Sequence, residues 1–157
     1  MGSFERSVLL VAHDINPSSV FGMIKKQLEA STVPCTAYLG GGKGFLEDSI
    51  EQKISDSAVH AKMVLAGMSS SSQLAACELL SIECAQKQGV PYALFSDTYG
   101  CYKREWFRPY VEGAAAIFVV SEKDRQRCLD DFPALLPDTV IASGNPLWEN
   151  FCFPKYT

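Results

Sequence analysis

Three short stretches carry most of the residues able to do chemistry: "HDINPSS" from His13, "GMSSSSQ" from Gly67, and "SDTYGCYKREWF" from Ser96. His13 could shuttle a proton near neutral pH with Asp14 orienting it, although adjacent side chains in an extended segment point to opposite sides. Ser69, Ser70, Ser71 and Ser72 allow two readings. Ser70 and Gln73 have the S-x-x-Q spacing of a capping box; alternatively, hydroxyls and free N–H groups at a helix start form a site for an anion or sugar hydroxyls. In the third stretch Asp97 is either a general acid–base group or a turn former. Thr98, Tyr99, Lys103 and Arg104 supply polar and aromatic contacts for a ligand, and the two bases either hold a phosphate or carboxylate or are solvated first-turn residues.

Several chemistries lack their residues. "LGGGKGF" is not a phosphate-binding P-loop, because Ala37 stands where its first glycine belongs and Gly44 where Ser or Thr belongs. No G-x-G-x-x-G follows the first apolar run, which argues against dinucleotide binding of the Rossmann type. "GMSSS" lacks the second glycine of a nucleophile elbow, so no Ser-His-Asp triad is assembled. With two histidines and no C-x-x-C pair among six cysteines, metal-ligand spacing is absent and no cofactor is expected. His60 reads as a surface residue and Cys101 as an exposed loop thiol.

These residues need elements to position them. Apolar runs at Ser7–Ala12, Pro34–Leu39, Lys62–Ala66, Tyr92–Phe95, Ala115–Val120 and Thr139–Ala142 read as strands, the first a continuous run expected of a strand buried on both faces. Helical patterns lie between them. One is capped by Asn16 with Pro17 at its first position and runs through Glu29; the next covers Phe45–Ser57. A third leads from the serines towards Gly89, a fourth covers Arg104–Tyr110, and a fifth starts at Ser121 and Asp124 with capping-box spacing. Strands alternating with helices predict an α/β fold: one Rossmann-like, three-layer domain over 1–157 with a mostly parallel sheet of about six strands. Ligands of such folds bind beyond the carboxyl ends of the strands. Nearly every unusual polar residue, including Asn145 of "SGNP", falls in those loops.

At 157 residues, 47% hydrophobic and 20% charged, the chain is long enough for one core. A net charge of −4 and a pI near 5.2 argue against nucleic acid as partner. No apolar run reaches the roughly 18 residues that span a bilayer. Without a basic, cleavable leader, and with unpaired cysteines, a cytoplasmic location is expected.

"MVLAGMSSSSQLAACELLSIECAQKQGVPYALFSDTYGCYKR", "AIFVVSEKDRQRCLDDF" and "VIASGNPLWE" together resemble the N-terminal Rossmann-like domain of GT-B glycosyltransferases and UDP-N-acetylglucosamine 2-epimerases. The resemblance covers most of the chain and implies a sugar or nucleotide-sugar ligand. It departs at two places: Met68 and Ser69 stand where the epimerases keep an acid after Gly67, and Ser96-Asp97 stands where they carry a catalytic glutamate. Epimerisation is therefore disfavoured, and Asp97 and His13 remain the candidates for catalysis. The family's nucleotide site lies mainly in a second domain, so a partner chain is expected to supply it. Two alternatives stay open: a stand-alone, non-catalytic small-molecule-binding module, or a compact enzyme acting on a nucleotide or sugar derivative. Trp148, Phe151, Phe153 and Tyr156 form an aromatic tail suited to a partner, a homodimer contact or intramolecular packing.

Overall fold

A computed structural model describes residues 6–148. Its six strands are β1 (Ser7–Ala12), β2 (Cys35–Leu39), β3 (Ala61–Gly67), β4 (Tyr92–Phe95), β5 (Ala116–Val119) and β6 (Val140–Ala142). They form one sheet in the order β2-β1-β3-β4-β5-β6, every pair parallel. The helices are α1 (Ile15–Ala30), α2 (Ile50–His60), α3 (Ala76–Gln88), α4 (Arg108–Val111) and α5 (Glu122–Asp131). The expected α/β sandwich with a parallel six-stranded sheet is what forms.

The two-residue period of each strand divides the core. Leu10, Ala12, Leu65, Ala93 and Phe95 face the side covered by Val20 and Phe21 of α1. Leu9, Val11, Val64, Ala66, Leu94 and Ile117 face the other side, against Ile54 of α2, Ile82 of α3, Val111 of α4 and Cys128 of α5. The central strands β1, β3 and β4 are mostly buried on both faces and read as continuous apolar runs. The edge strands differ: β2 is half-buried and β6 exposes Ile141 and Ala142. Each fully buried aliphatic side chain contributes roughly 1.5–3 kcal/mol from removal of its surface from water. Strand order reverses at β1, whose neighbours β2 and β3 lie on opposite sides. The connections leaving β1 and β3 in opposite directions open a crevice there.

Four boundaries differ from expectation, each for a local reason. Asp14, not Asn16, is the N-cap of α1, so Pro17 is its third residue; a proline there still removes only an N–H that has no partner inside the helix. Helix α2 starts at Ile50 rather than Phe45, after Ser49 takes a left-handed conformation with φ 54°. Helix α3 begins at Ala76, beyond the serines. The expected helix over Arg104–Tyr110 is instead a 3₁₀ turn, Cys101–Lys103, an extended Arg104, and α4. Restarting at Arg108 places Pro109 in a first turn, where no hydrogen bond is lost.

The cysteines described are unpaired, and Cys101, expected in an exposed loop, is 1% exposed. Burial pushes its thiol pKa up, opposite to what a reactive thiolate needs. His60 ends α2 on the surface, as read. Of the aromatic tail only Trp148 is described; Phe151, Phe153 and Tyr156 lie outside the described residues.

Candidate functional site

The switch-point crevice is closed at its base by bonds between the β1 and β3 connections. The backbone N–H of Asp14 donates to Ser69 Oγ at 3.2 Å, and the N–H of Ser70 donates to Asp14 Oδ2 at 2.9 Å. Asp14 therefore spends its carboxylate on the neighbouring loop rather than on capping its own helix, where it makes no side-chain cap bond. The other carboxylate oxygen, Oδ1, lies 3.7 Å from His13 Nδ1. The sequence argument that these adjacent side chains diverge is corrected here: the chain turns into α1 between them, and the two side chains approach.

His13 is held on three sides. Phe45 meets its ring edge-on with centroids 5.6 Å apart. A Cβ on Gly40 would lie 3.1–3.2 Å from His13 O, Cα and Cδ2, so the first glycine of "GGGKG" permits close packing of β2's end against this residue. Gly42 N–H donates to His13 O at 2.7 Å. Nδ1 is buried and has no hydrogen bond. A proton on Nδ1, the nitrogen 3.7 Å from the Asp14 carboxylate, would leave Nε2 as an acceptor.

Beneath the serines lies a residue that the sequence reading missed. Glu78, in the first turn of α3, is 0% exposed. Its Oε1 accepts from Ser69 N–H at 3.2 Å, while Oε2 is buried without a partner. A Cβ on Gly67 would come within 2.6 Å of that oxygen, 3.0 Å of Pro17 Cβ and 3.2 Å of Ala12 Cβ. Burial pushes the Glu78 pKa up from 4.5 to about 8; Ser69's hydroxyl and N–H pull it down, Asp14 pushes it up, and Arg104 pulls it down. At neutral pH the carboxyl is thus largely neutral. A signal did exist in the sequence: Glu78 shares the buried stripe of α3 with Ile82 and Ala85 at helical spacing.

The serines hold the chain more than they face solvent. Ser69 is 0% exposed, and its carbonyl accepts from Trp106 Nε1 at 3.2 Å. Ser71 Oγ accepts from Leu74 N–H at 3.2 Å. Ser70 and Ser72 are exposed, with Ser72 lining a separate open groove of about 990 Å³ between α2 and α3, beside Ile50, Ser55, Leu79 and Glu83. The expected Ser70–Gln73 cap does not form, because α3 starts later with Ala75 in the cap position. Long-range bonds have claimed the turn.

The residues after β4 divide in the same way. Arg104 Nη1 donates to Met68 O, tying this segment to the β3 turn, whereas Lys103 points away to Asp131, 3.2 Å distant. Asp97 is half-buried; its Oδ1 accepts from Cys101 Sγ–H at 3.5 Å and its carbonyl accepts from Asn145 Nδ2 at 2.8 Å. Asn145, 5% exposed, also accepts from Leu147 N–H through Oδ1 at 3.0 Å, so it clips two loops together. Thr98 and Tyr99 are exposed. Because β4 is two strands from β1, the backbones carrying Asp97 and His13 start about 10 Å apart, with the β3 turn between them.

The structure therefore gathers His13, Asp14, Ser69, Ser70 and Arg104 around one crevice, with Glu78 below. It places Asp97, Thr98 and Tyr99 along one side and takes Lys103 and Ser72 elsewhere. Such a crevice can accept hydrogen bonds from ligand hydroxyls through Asp14 and His13 Nε2 and can move a proton through the imidazole. Among the described residues no group of three or more His, Cys, Asp or Glu is placed to hold a metal, and no helix is long and apolar enough to cross a membrane. No family model matches the chain, and a search of curated proteins finds no match.

Proposed function

We propose that this chain is the sugar-binding half of a two-body, glycosyltransferase-like protein. Its crevice receives a sugar, nucleotide-sugar or acceptor, and a second body closes over it. The observation that carries this reading is the distribution of exposed apolar side chains. Ile15, Leu46, Leu74 and Tyr99 are 61%, 96%, 36% and 55% exposed, and they lie in the connections leaving β1, β2, β3 and β4 at the carboxyl edge. Five further exposed apolar side chains, Met23, Val59, Leu136, Ile141 and Trp148, are spread over the rest of the described residues and are ordinary. One exposed apolar side chain on each of four successive connections at the carboxyl edge suits a surface that another body covers. The resemblance to the N-terminal half of GT-B enzymes points the same way.

The chemistry of the crevice selects the ligand's moiety. Asp14 and His13 Nε2 are acceptors, matched to sugar hydroxyls. Lys103 and Arg104 are engaged within the chain, so a bare phosphate finds little to hold it here. In this reading the nucleotide's phosphates belong to the second body. His13 Nε2 takes the proton of an acceptor hydroxyl, and Asp14 stabilises the resulting imidazolium.

A thermal-shift panel tests the reading, since a ligand that binds the folded state alone raises stability with its concentration. Free sugars and nucleotide-sugars are expected to raise the melting temperature, and inorganic phosphate is not. His13→Ala and Asp14→Ala should abolish the shift while His60→Ala keeps it. Failure of every sugar to shift the melting curve, or equal shifts in all three variants, overturns the assignment.

A further inference from the structure

The Glu78 carboxyl belongs to no ligand-facing surface, yet it sits where four parts of the fold meet. Gly67 ends β3, Ala12 ends β1, Pro17 lies in the first turn of α1, and Ser69 opens the turn that binds Asp14; Oε1 accepts from Ser69 N–H, and a Cβ placed on Gly67 would meet Oε2, Pro17 and Ala12 at once. We infer that Glu78 is a pH-sensitive latch for the crevice: as a neutral acid it locks the Met68–Ser70 turn against the β1 connection, and as a carboxylate it releases that turn. The latch rests on packing around Glu78, independently of which ligand the crevice takes.

The neutral state fits the packing. A neutral carboxyl accepts from Ser69 N–H through Oε1 and leaves Oε2 buried beside Gly67 with no hydrogen-bond partner, a setting that an uncharged oxygen tolerates better than a charged one. The charged and titratable groups facing it are few. Asp14, with His13 beside it, comes from the β1 connection and repels a second carboxylate; Arg104, from the segment after β4, attracts it. Pro17 from α1 and the Gly67–Ser69 backbone bring no charge. On α3 itself Cys77 is the neighbouring thiol, and the helix's N-terminal dipole favours the anion modestly. Burial outweighs these attractions, which places the transition near pH 8.

Ionisation has one direct escape. Arg104 is the available cation, but its guanidinium holds Met68 O. Pairing with Glu78 breaks that bond, and water reaching Oε2 must part the turn from Gly67. Either movement loosens Ser70 N–H from Asp14 Oδ2 and Ser69 O from Trp106 Nε1, the bonds that shape the crevice.

Trp106 reports the latch without any ligand. In a Trp148→Phe background its emission should change sigmoidally between pH 6 and 9.5, with a midpoint near 8. Glu78→Gln should remove the transition, and Cys77→Ser should keep it, which separates the carboxyl from the adjacent thiol. A flat profile in the parent protein, or an unchanged transition in Glu78→Gln, overturns the latch. If Glu78→Gln fails to fold, carboxyl ¹³C shifts of the parent decide the matter. One side-chain carboxyl titrating near 8 together with the Trp106 Nε1–H resonance supports the latch, and all carboxyls titrating below about 6 sink it.

Discussion

Gly67 and Gly22 make opposite demands on the same substitution. Gly67 closes β3 against the Glu78 carboxyl, and a methyl there meets Oε2 at 2.6 Å and two further Cβ atoms at 3.0 and 3.2 Å. None of these neighbours is free to leave: Glu78 is fully buried, and Ala12 and Pro17 belong to the backbone of the crevice. Overpacking of this kind costs about 1–3 kcal/mol, so Gly67→Ala should lower the urea midpoint and weaken any binding in the crevice. Gly22 lies inside α1, where an added Cβ meets only Leu39 Cδ1 at 4.0 Å. Glycine in a helix interior is about 1 kcal/mol worse than alanine, so Gly22→Ala should raise the midpoint. Denaturation curves of both variants check the pair, and the same sign for both would contradict the packing described at β3.

Capping shows how much of the elements was legible. Ser121 and Asp124 were read from spacing alone, and Ser121 Oγ does accept from Asp124 N–H at 3.1 Å. Ser70 and Gln73 have equally good local spacing and make no cap, because α3 starts only at Ala76 and the Ser70 N–H goes instead to Asp14, 56 residues away in sequence. Local spacing gave the Ser121 half of its cap, and distant partners took the rest. Strand positions were legible locally, since an apolar run buried on both faces needs no partner's identity. A glutamate in the first turn of a helix normally satisfies the dipole at the surface; at Glu78 tertiary packing makes it internal. Asp124 is the parallel case in α5: 0% exposed, it accepts from Tyr102 Oη–H at 2.8 Å and from Gly100 N–H at 3.3 Å, fastening the loop after β4 to α5. Tyr102→Phe removes the nearer of the two donors to that buried oxygen and should cost about 1–3 kcal/mol. Hydrogen exchange should locate the loss in the 98–104 loop and the start of α5. A loss spread evenly over the sheet would mean that the bond does not act as this local fastening.

The whole molecule's stability should carry the imprint of one proton. Every pKa shift resolved in the described residues is upward, and Glu78's is the one that crosses neutral pH, from 4.5 to about 8. Between those values the folded chain holds a proton that the unfolded chain has released, so raising the pH favours unfolding. The stability linked to this proton is fully present below about pH 4.5 and gone once the pH has passed about 8. At 1.36 kcal/mol per unit the shift corresponds to roughly 5 kcal/mol as a ceiling, which relaxation of the turn reduces. A second decline follows at alkaline pH, because burial raises the Cys128 thiol to about 12, and the bond to Glu83 raises the Tyr110 phenol to about 12. Urea unfolding from pH 5 to pH 10 should therefore weaken the parent protein in two stages. Glu78→Gln should flatten the first stage and leave the second, because no other group with a resolved shift releases its proton in the first window. A parent protein equally stable at pH 5 and pH 8 would mean that Glu78 is already ionised when folded, and the neutral-acid account of the crevice floor would fall with it.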